Sequence, residues 1–115
     1  MKWLTHVVWG SLPFLPSMGL MAYAVASVHT AITDVMGHWG YRRAMWHDAL
    51  SVVLGVAIGW YLDNVAAGLL LGLIHVVLDW LSPGRLAVSW LYNAPFFLLG
   101  AVLNVYISRL TLGHA

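Results

Sequence analysis

Long apolar runs broken by short polar clusters set the rhythm of this chain. A helix that crosses the hydrocarbon of a bilayer needs ~20 residues, with ~17–25 the usual range. That ruler predicts an integral membrane helical bundle with four to five membrane segments. Residues 3–15 form a short first helix that Pro13 and Pro16 interrupt, because proline removes a backbone donor and clashes with the preceding turn. Residues 17–38 form a full span ending in the glycines at 37 and 40. Residues 47–62 run to a polar turn at Asp63-Asn64, and 65–82 return to a stop at Pro83-Gly84, so these two make a helical hairpin. Residues 83–94 read as a loop or interfacial piece, and 95–112 as the last span, with Pro95 in its first turn. No composition shift marks a second domain, so residues 1–115 are one helical unit.

Composition supports this reading. Hydrophobic residues make up 62% of the chain and charged residues 8%, outside the range of ordinary soluble domains. The net charge of +1 offers no basic field for nucleic acid, and the arginines sit at the ends of apolar runs. Placing successive spans up and down puts Lys2, Arg42, Arg43 and Arg85 on one side and Asp63 and Asn64 on the other, with Arg109 the exception. The excess of positive charge makes the first side cytoplasmic, so the expected location is the cell membrane with the arginine-rich loops inside. Trp39, Trp46, Trp80 and Trp90 flank the same side as an interfacial belt. The N-terminal stretch has the lysine and short apolar run of a signal peptide. No small-residue cleavage motif follows Pro16, however, so it is read as part of the first helix.

Two further patterns carry structural and chemical content. Gly55/Gly59 and Gly68/Gly72 repeat at four-residue spacing on adjacent spans, which lets two backbones approach closely in lipid. The polar residues also share a depth. At 1.5 Å of rise per residue, His6, Asp34, His38, His47, Asp48, His75 and Asp79 fall within roughly 10 Å of one level near the cytoplasmic end. Asp34/His38 and His75/Asp79 are each four residues apart, about 40° around a helix axis, so each pair shares a face. With no cysteine in the chain, a metal must be held by His, Asp or water. An unpaired charge at that depth costs at least ~2.5–3.5 kcal/mol, and a divalent cation offsets it. Mixed imidazole and carboxylate ligands suit Zn²⁺, with Mn²⁺ or Fe²⁺ also served, as one or two ions.

Blander readings compete with this one. The aspartates can pair with arginines in a purely structural network. His29, near Thr30 and Thr33, reads as a satisfied interior histidine, and His114 as a solvated tail residue. Bis-histidine haem ligation is disfavoured by the aspartates beside the candidate histidines.

The ordered set Thr5-His6, Asp34-x-x-x-His38, Arg43 before Trp46-His47-Asp48, and His75-x-x-Leu78-Asp79-x-Leu81-Ser82-Pro83 resembles the YdjM-like family of small membrane-bound, predicted metal-dependent hydrolases, in particular its archaeal branch of unknown function. The resemblance implies that His6, Asp34, His38, His47, His75 and Asp79 are metal-binding residues. Trp46 and Asp48 stand where that family usually has threonine and serine.

The expected function is therefore a membrane-embedded metal-dependent hydrolase acting at the cytoplasmic leaflet, where a cation lowers the pKa of water toward ~7. Asp48 is the candidate general base or orienting carboxylate, and Arg43 the candidate partner for a phosphate-bearing headgroup. Lipid phosphoesters head the list of substrates. The alternative is a non-catalytic structural or metal-handling protein using the same cluster. Its apolar outer halves in spans 3 and 4 disfavour a continuous transport pathway. A chain this small is expected to associate with itself or a partner subunit.

Overall fold

The structure is a computed structural model that describes residues 2–36, 43–82 and 84–112, with side chains for residues 2–35, 47–82 and 85–111. Among these residues it is all-helical. The elements are α1 (Trp3–Gly10), α2 (Leu15–Met18), α3 (Met21–Met36), α4 (Arg43–Tyr61), α5 (Val65–Leu81), a 3₁₀ helix (Gly84–Val88) and α6 (Trp90–Leu112).

Local chemistry explains where these boundaries depart from the hydropathy pattern. The first segment breaks as its prolines demand: α1 stops at Gly10 and Pro16 takes the second position of α2. Its successor α3 starts at Met21 rather than 17, because Gly19 adopts φ 59°, ψ −129°, a conformation open to glycine. Helix α4 begins four residues before 47, since no Pro or Gly interrupts 41–54 and only hydropathy falls there. The turn into α5 is as expected: Asp63 sits at φ 59°, and the Asn64 side chain accepts from the Ala67 N–H at 3.2 Å as its N-cap. The expected start of α6 at Pro95 is corrected to Trp90. Ser89 supplies the cap, its Oγ accepting from the Tyr92 N–H at 3.3 Å, so much of the predicted 83–94 loop is helical.

The helices pack around α1, which contacts α3, α5 and α6, while α4 packs on α3 and α5. The α4–α5 hairpin is the tightest joint. A Cβ at Gly59 would lie 2.9 Å from Gly68 Cα, and one at Gly72 would lie 2.7 Å from Ser51 O. These glycines bring two backbones into contact, as their spacing predicts. Ser51 Oγ adds a bond to Gly72 O at 2.9 Å.

Helix α6 is held to α1 differently. Asn93 Oδ1 accepts from the Lys2 N–H at 2.8 Å and from Thr5 Oγ1 at 3.1 Å. Eleven residues on, Asn104 Oδ1 accepts from Ser11 Oγ at 3.1 Å and Tyr23 Oη at 2.7 Å, and its Nδ2 donates to Val8 O and Gly100 O, both at 2.8 Å. Trp9 Nε1 donates to Phe96 O at 2.8 Å between the two asparagines.

The distribution of polarity inverts that of a soluble domain. Thr5, His6, Ser11, His29, Thr33, Ser51, His75 and Asn93 are buried, whereas Val53, Trp60, Leu69, Leu70, Leu98, Leu99, Val102 and Val105 are exposed. One described helix, over Trp90–Thr111, is long and apolar enough by itself to cross a membrane, and Val65–Leu81 is apolar but shorter. Trp80 and Trp90 are exposed at the end where α5 stops and α6 starts. Trp39 lies outside the described residues and Trp46 outside the described side chains.

Candidate metal centre

Helix direction gathers the polar residues at one end of the bundle. Asp34 lies in the last turn of α3, His47 in the second turn of α4, and His75 and Asp79 in the last two turns of α5. Helices α3 and α5 both run antiparallel to α4, as the opposed order of the His29–Ser51 and Asp34–His47 contacts and of the Ser51–Gly72 and His47–His75 contacts shows, so two helix ends and one beginning meet. His75 and Asp79 share a face because four residues are close to one turn.

Asp34, His47, His75 and Asp79 each offer a ligand atom, and these atoms all lie within 4.8 Å of one another. Asp34 Oδ1 is the hub: His47 Nε2 stands 3.1 Å from it and His75 Nε2 3.5 Å. The two imidazole Nε2 atoms are 3.4 Å apart. Asp79 Oδ2 closes the group, 3.4 Å from His75 Nε2 and 3.5 Å from His47 Nδ1. Two imidazoles and two carboxylates, with both histidines buried, form a donor set that suits a divalent cation of the zinc, manganese or iron type.

A fifth predicted ligand, His6 on α1, takes a neighbouring place. Its Nε2 donates to Asp79 Oδ1 at 2.9 Å, and its ring stacks on His75 with centroids 4.1 Å apart. That N–H holds the carboxylate whose other oxygen faces the cluster, the arrangement by which an outer hydrogen bond orients a ligand. Asp48 also sits beside the group: its Oδ1 is 3.5 Å from His47 Nδ1, and its Oδ2 accepts from Trp80 Nε1 at 2.9 Å. His38, Arg42 and His114 lie outside the described residues, and the Arg43 side chain outside the described side chains.

His29 departs from its expected role as a satisfied interior histidine. It is fully buried and its Nε2 donates to Ser51 O at 2.8 Å, yet its Nδ1 has no hydrogen-bond partner. The ring meets His75 edge-on, with centroids 5.4 Å apart. Sequence reasoning also missed Trp80 as the partner of Asp48 and Ser51 as the link between α3 and α5. The signal for Ser51 was present, since it is a polar residue one turn after His47 in an apolar helix.

No family model, curated protein or solved structure matches this chain.

Proposed function

We propose that this protein is a membrane-embedded, divalent-metal-dependent hydrolase of the YdjM-like kind, with its centre near the cytoplasmic face and a lipid phosphoester as substrate. The observation that carries the reading is the meeting of Asp34, His47, His75 and Asp79, from three helices, with ligand atoms within 4.8 Å of one another in an otherwise apolar bundle. The membrane setting rests on exposed apolar side chains around α4, α5 and α6 and on a buried layer of polar ones. In that setting α3 to α6 are four spans, and α1 with α2 is a broken fifth.

A divalent cation, when bound, supplies Lewis-acid polarisation of a phosphoryl oxygen and acidifies water. The chain's own residues set its position. Asp34, His47, His75 and Asp79 hold it, His6 orients Asp79, and Asp48, fixed by Trp80, orients His47 and lies within reach to take a proton. Arg43, which opens α4 one turn before His47, is the residue for a phosphate headgroup.

A second reading has its own support. Four protein ligands complete a tetrahedral zinc shell, as in structural sites, whereas catalytic zinc keeps an open position. Zinc held by all four residues would therefore make this a non-catalytic metal-binding protein. A six-coordinate Mn²⁺ or Fe²⁺, or zinc on three of the four, leaves room for substrate.

Elemental analysis of the detergent-purified protein tests the shared premise. Near-stoichiometric Zn, Mn or Fe that disappears in the His75→Ala/Asp79→Ala double variant is the expected result. Metal-free protein with unchanged stability defeats both readings. With metal present, turnover on phospholipid or isoprenoid-phosphate substrates separates the enzyme from the binding protein.

A further inference from the structure

Two faces of this bundle stand uncovered among the described residues. Helix α6 turns Asn93, Gly100 and Asn104 toward α1. About 200° around its axis from that face, Leu91, Pro95, Leu98, Val102, Val105 and Arg109 are all exposed. Their spacing alternates between four and three residues, the period that keeps one seam turned toward a facing helix. The turn before α5 and α5 itself carry a second seam. Asp63, Ala66, Leu70, Leu73, Val77 and Trp80 are exposed at spacings of three and four, while Gly68, Leu71, Gly72 and His75 are buried on the other side. Each seam is apolar for about 21 Å and ends on a single charge, positive on α6 and negative at the start of α5.

Helix α1 gauges the level of the two charges. Its Gly10 lies against the Leu71 side chain of α5, and its Ser11 bonds to Asn104 of α6. Asp63 is eight residues from Leu71 and Arg109 five from Asn104, both toward the end of the bundle away from the ligand cluster. Those counts are about 12 Å and about 8 Å of rise, so the charges stand within a few ångströms of one level. Within the chain they do not meet in an ion pair. The ion pairs among the described residues join histidines to Asp34, Asp48 and Asp79 at the opposite end.

We infer that the α6 seam of one copy of this chain docks on the α5 seam of a second copy, with Arg109 of the first against Asp63 of the second. The membrane reading above requires both copies to stand the same way up. In that orientation α6 runs antiparallel to its neighbour's α5, because α1 lies parallel to α6 and antiparallel to α5 within each copy. The two charges then fall at the same end, and the apolar residues face one another along the rest. Lipid tails cover an apolar face without regard to register, whereas opposite charges at matching ends fix both register and partner. Two α6 seams face to face would instead set Arg109 against Arg109, a repulsion that disfavours that pairing. Each copy thus offers one seam and receives on the other.

The chain has no cysteine, so introduced cysteines report the contact. Val102→Cys and Leu70→Cys, each seven residues from the charge of its seam, are placed on two differently tagged copies of the full chain. The copies are reconstituted together in phosphatidylcholine vesicles and treated with a short dimaleimide. Cross-linking between them is expected, at a yield at least about fivefold above that from Leu99→Cys, which is exposed on α6 but off the seam. Arg109→Asp on the Val102→Cys copy should lower the yield about fivefold, the scale of an exposed ion pair. Asp63→Arg on the other copy should restore it. Asp63→Asn, which suits the φ of 59° at this position and removes the charge, should lower the yield opposite an unaltered Arg109. Equal cross-linking from Val102→Cys and Leu99→Cys, or none from either, overturns the docking and leaves lipid as the cover of both seams. A loss in Arg109→Asp that Asp63→Arg does not restore, with no effect of Asp63→Asn, overturns the charge match. Release of the chain from vesicles by alkaline carbonate with the cross-linking pattern intact overturns the membrane setting and leaves the contact between copies standing.

Discussion

The α4–α5 joint and the α1–α6 joint do the same task with opposite materials. In the hairpin, Gly55, Gly59, Gly68 and Gly72 remove side chains so that backbones touch. Between α1 and α6, Asn93 and Asn104 insert side chains that bond to backbone and hydroxyl groups on the neighbour. A backbone contact has no rotamer to adjust, whereas an amide on a side chain can follow a shifted partner. The rigid joint is the one that carries His47, His75 and Asp79, and the adaptable one holds α6, which contributes no described ligand. Precision is spent where ligand atoms must meet within a few ångströms.

This contrast can be broken most severely at Gly68. A Cβ there would sit 2.7 Å from Gly59 Cα, against backbone that cannot rotate away. Gly68→Val should cost more than about 3 kcal/mol, the upper range for overpacking, and abolish metal retention, as read by unfolding in mixed micelles and by metal content. His75→Ala removes a ligand and leaves both joints intact. It should lower metal affinity at least ~100-fold in a competitive chelator titration, since changes merely adjacent to ligands already cost ~10–100-fold. His6→Ala belongs to that adjacent class, because His6 bonds to Asp79, and a loss of ~10–100-fold is expected in the same titration. The smallest effect sharpens the comparison from the other side. Asn104→Leu deletes four hydrogen bonds, each worth about 0.6 kcal/mol on average inside a membrane. It should therefore lower stability by about 2–2.5 kcal/mol while changing metal affinity less than ~3-fold. Equal loss of affinity in Asn104→Leu and in Gly72→Ala would erase the distinction between the joints.

What the sequence made legible follows from the same contrast. Glycine spacing is a signal along one dimension, and so is depth: counting residues from a helix end puts His6, His47, His75 and Asp79 at a common level without knowledge of any neighbour. Rotation about the helix axis is different. In α6 the spacing of Asn93, Gly100 and Asn104 marks one face without saying which neighbour it meets; it meets α1, while Leu98 and Val102 face outward. For the same reason the count of residues could not say that the His6 ring meets the far oxygen of Asp79, and Trp80 was read only as an interfacial anchor although it also holds Asp48. The start of α6 was misplaced because Pro95 is a louder signal than Ser89, the residue that caps the helix.

The shortness of α1 bears on how the molecule is made. The eight residues of α1 rise about 12 Å, well under the ~30 Å of a bilayer's hydrocarbon. The groups that satisfy Thr5, His6 and Ser11 belong to Asn93, Asp79 and Asn104, all synthesised later. Helix α1 therefore finds its polar partners only after α5 and α6 have been made, and the end of the bundle that gathers Asp34, His47, His75 and Asp79 closes by joining segments far apart along the chain.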